Sequence, residues 1–187
     1  QSDLFNANQR PAIDVGISVS RVGGAAQTKA MKKVSGTLKI SLAQYRDMQA
    51  FAMFASDLDE TSKRQLDRGA RLTELLRQPL ANPMPMERQA VSIWAGTGGK
   101  LDDVPVEDVL RFEKEFHEHL SVATNVLTTI AETGKLEDNT EAKLDAAIAA
   151  FKQGFRLSDG RLLASLEGDD IDDDDIKQAQ IVTGKRS

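Results

Sequence analysis

The chain has 187 residues, 40% of them hydrophobic, which is enough apolar material for one ordinary domain with a core. It contains no Cys, so disulfides and thiolate chemistry are excluded, and no apolar run approaches the length of a membrane-spanning helix. The net charge of −5 sits mostly at one end: Ser158–Ser187 carries eight acidic and four basic residues, and the remainder carries 21 and 20. A near-neutral body with an acidic tail argues against nucleic acid and against an anionic membrane surface as partners. The first residues, Gln1-Ser2-Asp3-Leu4-Phe5-Asn6, have neither the basic start nor the apolar centre of a signal peptide.

Residues 11–22 carry the only strand pattern. Val15, Ile17 and Val19 alternate with small or polar residues until Gly23-Gly24 interrupts them. A single strand has nothing to pair with, so this one is expected to be left over from a sheet outside the chain. Everything after it reads as helix. Ala25–Ser35 is predicted to end at Gly36, and Ser41 with Gln44 resembles a capping box that starts a new helix, with Leu42, Tyr45, Met48, Phe51, Ala52 and Phe54 on one face. Asp59 is placed to cap a third helix, with Leu66, Ala70, Leu72, Leu75 and Leu76 apolar before Pro79 stops it.

A short buried helix is predicted over Glu87–Ala95. Pro105 then opens what reads as the longest one, with Val106, Val109, Phe112, Phe116, Leu120, Ala123, Leu127 and Ile130 recurring until Gly134. A last helix from about Thr140 to Phe155 presents Leu144, Ile148, Phe151 and Phe155. The fold expected is mainly α: a bundle of about five helices over 25–157, preceded by one strand in 1–24. Residues 158–187 form an acidic tail, which the aspartate block 169–175 predicts to be disordered.

Several motifs invite a chemical reading and do not sustain it. Gly96-Thr97-Gly98-Gly99-Lys100 lacks the spacing of a phosphate loop, and Leu101 stands where a magnesium-binding hydroxyl belongs, so an inter-helix loop is the better reading. His117 and His119 face different sides of a helix and cannot share a metal, which leaves them as surface histidines. The aspartate block lacks the Gly and Glu of a calcium loop, so no metal site is predicted. Arg21 is the informative charge, because it follows the strand pattern directly and precedes two glycines, where a sheet's end can meet a ligand.

The run from Arg10 through Ser18-Val19-Ser20-Arg21 to Gly36 resembles the α subunit of F-type ATP synthases nearly residue for residue. So do Leu42-Ala-Gln-Tyr-Arg46, Ser56-Asp-Leu-Asp59, Arg68-Gly-Ala-Arg-Leu-Thr-Glu-Leu-Leu76 and Pro105-Val-Glu-Asp-Val109. The likeness runs in order to about Leu157 and implies the C-terminal portion of that subunit. In that family α and β subunits alternate in a ring around a rotating γ shaft, and β performs the ATP chemistry. The resemblance therefore implies that this chain alone catalyses nothing, and that Arg21 is the arginine finger reaching the β site. It also assigns Ser18 to the same activity-bearing motif and places Val19 near the interface.

The resemblance further assigns Arg10, Pro11 and Gln78 to the adenine of a non-catalytic nucleotide, ATP or ADP with Mg in the intact complex. Leu80 replaces a second glutamine there, so tight binding by this chain is not expected. Ser56–Asp59 falls where the domain meets the rotor. The location implied is peripheral, on the cytoplasmic face of the bacterial plasma membrane, without insertion. A C-terminal extension such as 158–187 is a feature of actinobacterial members, where it is associated with restraining ATP hydrolysis. A different reading of the same features is a helical interaction module whose acidic tail binds a basic partner.

Overall fold

The computed structural model describes residues 1–52 and 58–166. Two short helices, α1 (Ser2–Asn6) and α2 (Arg21–Ala26), precede α3 (Lys29–Ala52), α4 (Glu60–Leu75), α5 (Met86–Thr97), α6 (Val109–Ala123), α7 (Val126–Thr133) and α8 (Asp138–Gly154). No strand occurs among the described residues, so the strand expected over 11–22 is corrected: in that segment residues 11–20 run as irregular backbone and turn, and Arg21 and Val22 open α2. Its alternating apolar residues have no ladder to join, and Ile17 and Val19 stand 68% and 73% exposed.

Two helix boundaries also change. The predicted break at Gly36 is absent, and α3 runs straight through it. Ala30, Val34, Leu38 and Leu42, each four residues apart, form one buried stripe that holds the helix together. Gly36 lies exposed on the opposite side, where it costs only its helix propensity, about 1 kcal/mol. The predicted long helix to Gly134 divides instead at Thr124, which is extended at φ −142°. Its hydroxyl donates to the Leu120 carbonyl and accepts the Val126 N–H, closing α6 and opening α7. Gly134 ends α7 as expected, in the left-handed region at φ 63°, and its carbonyl accepts the Ala30 N–H at the start of α3.

The Asp59 capping signal acts as read, whereas Pro105 opens only a 3-10 turn, Val106–Asp108, before α6. Asp59 accepts the Ser62 N–H at 2.8 Å, and this backbone hydrogen bond holds the Asp59 carboxyl below its usual range. The core is built on Phe112, which meets Phe151 edge-on at 5.2 Å and Phe155 at 4.9 Å. Ile130, Leu120, Leu144 and Val109 are fully buried around it. Each such side chain contributes about 1.5–3 kcal/mol on burial, and the aromatic pairs about 0.5–1.5 kcal/mol more.

The extension is also corrected for its first residues. Arg156 and Leu162 form an antiparallel bridge, Leu163 is 1% exposed, and Leu163 N–H donates to the Phe155 carbonyl. Asp108, 2% exposed, accepts the Ser158 N–H at 3.1 Å, the Ser158 hydroxyl, and Arg111 Nη2 at 2.8 Å. Burial pushes that carboxyl up, but the Ser158 and Arg111 hydrogen bonds outweigh it and leave the pKa below the usual value. The base of the tail is thus bound to the body through Leu166. The aspartate block, Lys185-Arg186, and Ser56-Asp57 of the rotor motif lie outside the described residues.

Glycine fixes how closely the helices meet. A Cβ on Gly69 would stand 2.2 Å from the Tyr45 ring, so α3 and α4 touch backbone to ring. Gly69→Ala is expected to destabilise the fold by about 1–3 kcal/mol through overpacking. Gly36→Ala, where a Cβ meets nothing within 4 Å, is expected to stabilise it by about 0.4–1 kcal/mol. Urea unfolding of the two variants, read at constant m-value, separates these outcomes.

Candidate functional site

The N-terminal segment returns over α4's end because of local chemistry around α1. Asn8 takes the left-handed conformation at φ 60°, which Asn tolerates better than most residues, and the chain reverses. The Arg10 guanidinium then lies 3.7 Å over the Phe5 ring and donates to the Phe5 carbonyl at 2.8 Å. From the other side, Gln78 N–H donates to the Arg10 carbonyl at 2.9 Å. Arg10, Pro11 and Gln78, distant in sequence, therefore border one open recess of about 810 Å³ with Phe5, Leu80 and Leu110. Pro11, Phe5 and Leu110 supply apolar faces for a flat base, and the Gln78 amide supplies a donor and an acceptor for its edge. Leu80 is 99% exposed and offers no hydrogen bond.

Ser18, Val19 and Arg21 do not line this recess. The segment that carries them is tied down upstream by Asp14, whose Oδ1 accepts the Gly16 N–H at 2.8 Å and meets Arg46 of α3 at 2.7 Å. The Arg46 hydrogen bond is the main cause holding the Asp14 carboxyl below its usual range. Ser18 N–H donates to the Asp14 carbonyl. Arg21 then opens α2 rather than following a strand: Ser20 Oγ accepts the Gly23 N–H at 2.9 Å and caps that helix. Ser18, Val19 and Arg21 are all exposed.

The loop read as an imitation phosphate loop is a structural turn. Gly99 sits at φ 72°, and Lys100 Nζ is held by Asp145 at 2.6 Å and lies over the Trp94 ring. No group of His, Cys, Asp or Glu among the described residues is arranged to hold a metal.

His117 is not a surface residue. It is 3% exposed, because α6 turns it toward α5. The Ser92 hydroxyl donates to Glu113 Oε1 and lies 2.8 Å from His117 Nε2. Ser92, His117 and Glu113 are the residue types of a hydrolytic triad connected in the wrong order: the carboxylate holds the serine, and His117 Nδ1 has no partner. Glu113 and His117 are four apart on one predicted helix, so their shared face was visible in the sequence. Ser92, on another helix, carried no signal, and neither did Phe5 or Arg46.

Residues 27–151 match the family model described as "ATP synthase alpha/beta chain, C terminal domain". This chain belongs to the ATP synthase α/β family. It is 68% identical over 190 residues to the ATP synthase subunit alpha of Cutibacterium acnes, covering 100% of the chain and 34% of that relative. It is 62% identical to the corresponding subunit of Renibacterium salmoninarum and 61% to that of Leifsonia xyli subsp. xyli, each over 189 residues, all of this chain and 35% of the relative. The chain thus spans about a third of the length of these relatives and matches the C-terminal portion of the α subunit. Its helical bundle is that family's C-terminal domain.

Burial is the main cause, and the positive charge of Arg88 the second, that pulls the His117 imidazole down to about 4, and burial pushes the Glu113 carboxyl up. The unfolded chain takes up the His117 proton near pH 6.5, whereas the folded chain does so only near pH 4. Between these values the unfolded state holds more protons, so this residue makes stability rise with pH. His117→Gln is expected to flatten the pH dependence of the unfolding free energy in that window, by at most about 1.4 kcal/mol per pH unit. An unchanged slope contradicts a neutral buried imidazole.

Proposed function

We propose that this chain is the part of a proton-translocating ATP synthase's non-catalytic α subunit that presents Arg21 to a nucleotide site on the neighbouring β subunit. The observation that carries this reading is Ser18-Val19-Ser20-Arg21 ending on an exposed arginine at the first turn of α2, in a chain of this family. The chemistry is coherent. A guanidinium is planar and permanently charged, and its fork of donors grips phosphate oxygens as charge spreads over them in the transition state. The Asp14–Arg46 pair supports it by anchoring the segment to the bundle just upstream. Ser18, in the same motif, is proposed to help orient that segment.

The recess bordered by Arg10, Pro11 and Gln78 is proposed to receive the adenine of a second nucleotide, bound with Mg in the assembled complex. This chain's residues address the base and not the phosphates, since the Gly96–Lys100 loop is committed to Trp94 and Asp145. Tight binding by the chain alone is not expected. The bundle is proposed to surround the γ shaft, in a complex peripheral to the cytoplasmic face of the membrane. No helix among the described residues is long and apolar enough to cross one. The acidic extension is proposed to restrain ATP hydrolysis.

With Arg21→Ala placed in the full-length α subunit, steady-state ATP hydrolysis by the reconstituted head is expected to fall on the order of 10³-fold, in the range other arginine fingers supply. Nucleotide binding by β should persist. Activity near wild type would remove Arg21 from the reaction.

A further inference from the structure

Residues 16–27, which carry Arg21, are exposed along their whole length, so the direction of that guanidinium is not set by burial. The stretch is held at its ends instead, and both ends rest on α3. On the N-terminal side Val15 packs against the cluster of Leu38, Leu42 and Leu72, and Asp14 meets Arg46 Nη1 at 2.7 Å. The same Asp14 oxygen accepts the Gly16 N–H at 2.8 Å, and the Asp14 carbonyl accepts the Ser18 N–H at 2.9 Å. One residue thus takes the cation of α3 and shapes the turn that leads to Ser20, the cap of α2. On the C-terminal side Lys32 Nζ donates to the Ala25 carbonyl at 3.1 Å. Ala25 lies in the last turn of α2, where carbonyls lack a partner within the helix and a cation is favourable.

Lys32 and Arg46 are fourteen residues apart on α3, close to four turns. They therefore leave the same side of the helix, about 21 Å apart along its axis, with Arg21 between the two ties in sequence. The helix they stand on is fixed by its buried stripe of Ala30, Val34, Leu38 and Leu42. Neither tie contributes much to stability, because the Arg46 side chain is 40% exposed and the Lys32 bond lies at the surface. Their effect is on position. An arginine that grips a phosphoryl group in the transition state works only from a narrow range of places, and a misplacement of about 1 Å costs on the order of 10²-fold in rate.

We propose that Arg46, with Lys32 as a second strut, is a positioning residue for the ATP chemistry: without touching nucleotide, it holds the arm that aims Arg21 at the neighbouring subunit's site. The inference rests on the reading of Arg21 given above. It separates two kinds of arginine in one chain, Arg21 exposed at the start of α2 and Arg46 committed to Asp14. Because both struts belong to α3, a displacement of that helix is carried directly to Arg21.

The test is a double-mutant cycle in full-length α assembled into the ATP-hydrolysing head, read as steady-state kcat and KM. Arg46→Met removes the cation and keeps an aliphatic stem; it is expected to lower kcat by about 10- to 100-fold with KM little changed. Arg46→Lys, whose ammonium can reach the one Asp14 oxygen engaged, should recover most of that loss. In an Arg21→Ala background the Arg46→Met loss should vanish, because the strut then has nothing to aim. Lys32→Met, at the other strut, is expected to show a smaller loss that also disappears with Arg21→Ala. A kcat unchanged by Arg46→Met, or an equal loss in both backgrounds, overturns the proposal and leaves Arg21 standing. Arg21→Ala activity near wild type removes the reading on which the proposal rests, and the proposal with it.

Discussion

Helix α4 can lie where it does only because two facing positions lack side chains. Gly69 accepts the Tyr45 ring of α3 at a distance no Cβ permits, and Gly96 of α5 leaves room for Leu72 and Leu75, whose methyl carbons stand 2.7 and 2.9 Å from where a Cβ would be. Held from both sides, α4 ends at Leu75 in a fixed place, and Arg77 and Gln78 follow just beyond it. The recess with Arg10 and Pro11 depends on that placement, since Gln78 N–H reaches the Arg10 carbonyl from just past this helix. Helix spacing, a matter of absent methyl groups, thus positions the polar chemistry.

Much of the bundle was legible because apolar periodicity reports directly on burial. Leu72, Leu75, Phe112, Phe116, Leu144 and Ile148 are core residues in sequence pattern and in structure alike. Where pattern and structure part, local and longer-range signals compete, and either one can prevail. Gly36 and the Ser41 capping pattern look like an interruption, yet the stripe of Ala30, Val34, Leu38 and Leu42 continues across them and wins. Thr124 failed in the opposite sense, since its hydroxyl competes for backbone groups while the apolar pattern continues past it. The alternation at Val15, Ile17 and Val19 is genuine, but a strand needs a second strand to pair with, and none occurs among the described residues. The Arg10–Gln78 pairing was accessible through family resemblance and not through spacing, because nothing in a single sequence states which distant residues meet.

Two polar clusters on α6 and its approach handle buried charge in contrasting ways. Asp108 is as buried as a core leucine, and three donors surround it, so its carboxylate is stabilised despite losing water. Glu113 and His117 sit further along α6 with a single serine between them, and both are driven toward their neutral forms. The first arrangement is complete and serves the fold. The second leaves the buried His117 Nδ1 without a hydrogen-bond partner.

The Ser158 contact with Asp108 also moves the natural cutting point of the chain. Ser158 supplies two of the three donors that keep Asp108 charged in the interior, and Leu163 covers the Phe155 end of the core. A protease or a shortened gene that ended the chain at Leu157 would remove the acidic extension and, in the same stroke, uncap a buried carboxylate. The damage to the body would then pass for a role of the tail. A chain ending after Leu166 keeps the clasp whole, so the function of the acidic residues can be separated there from the integrity of the bundle.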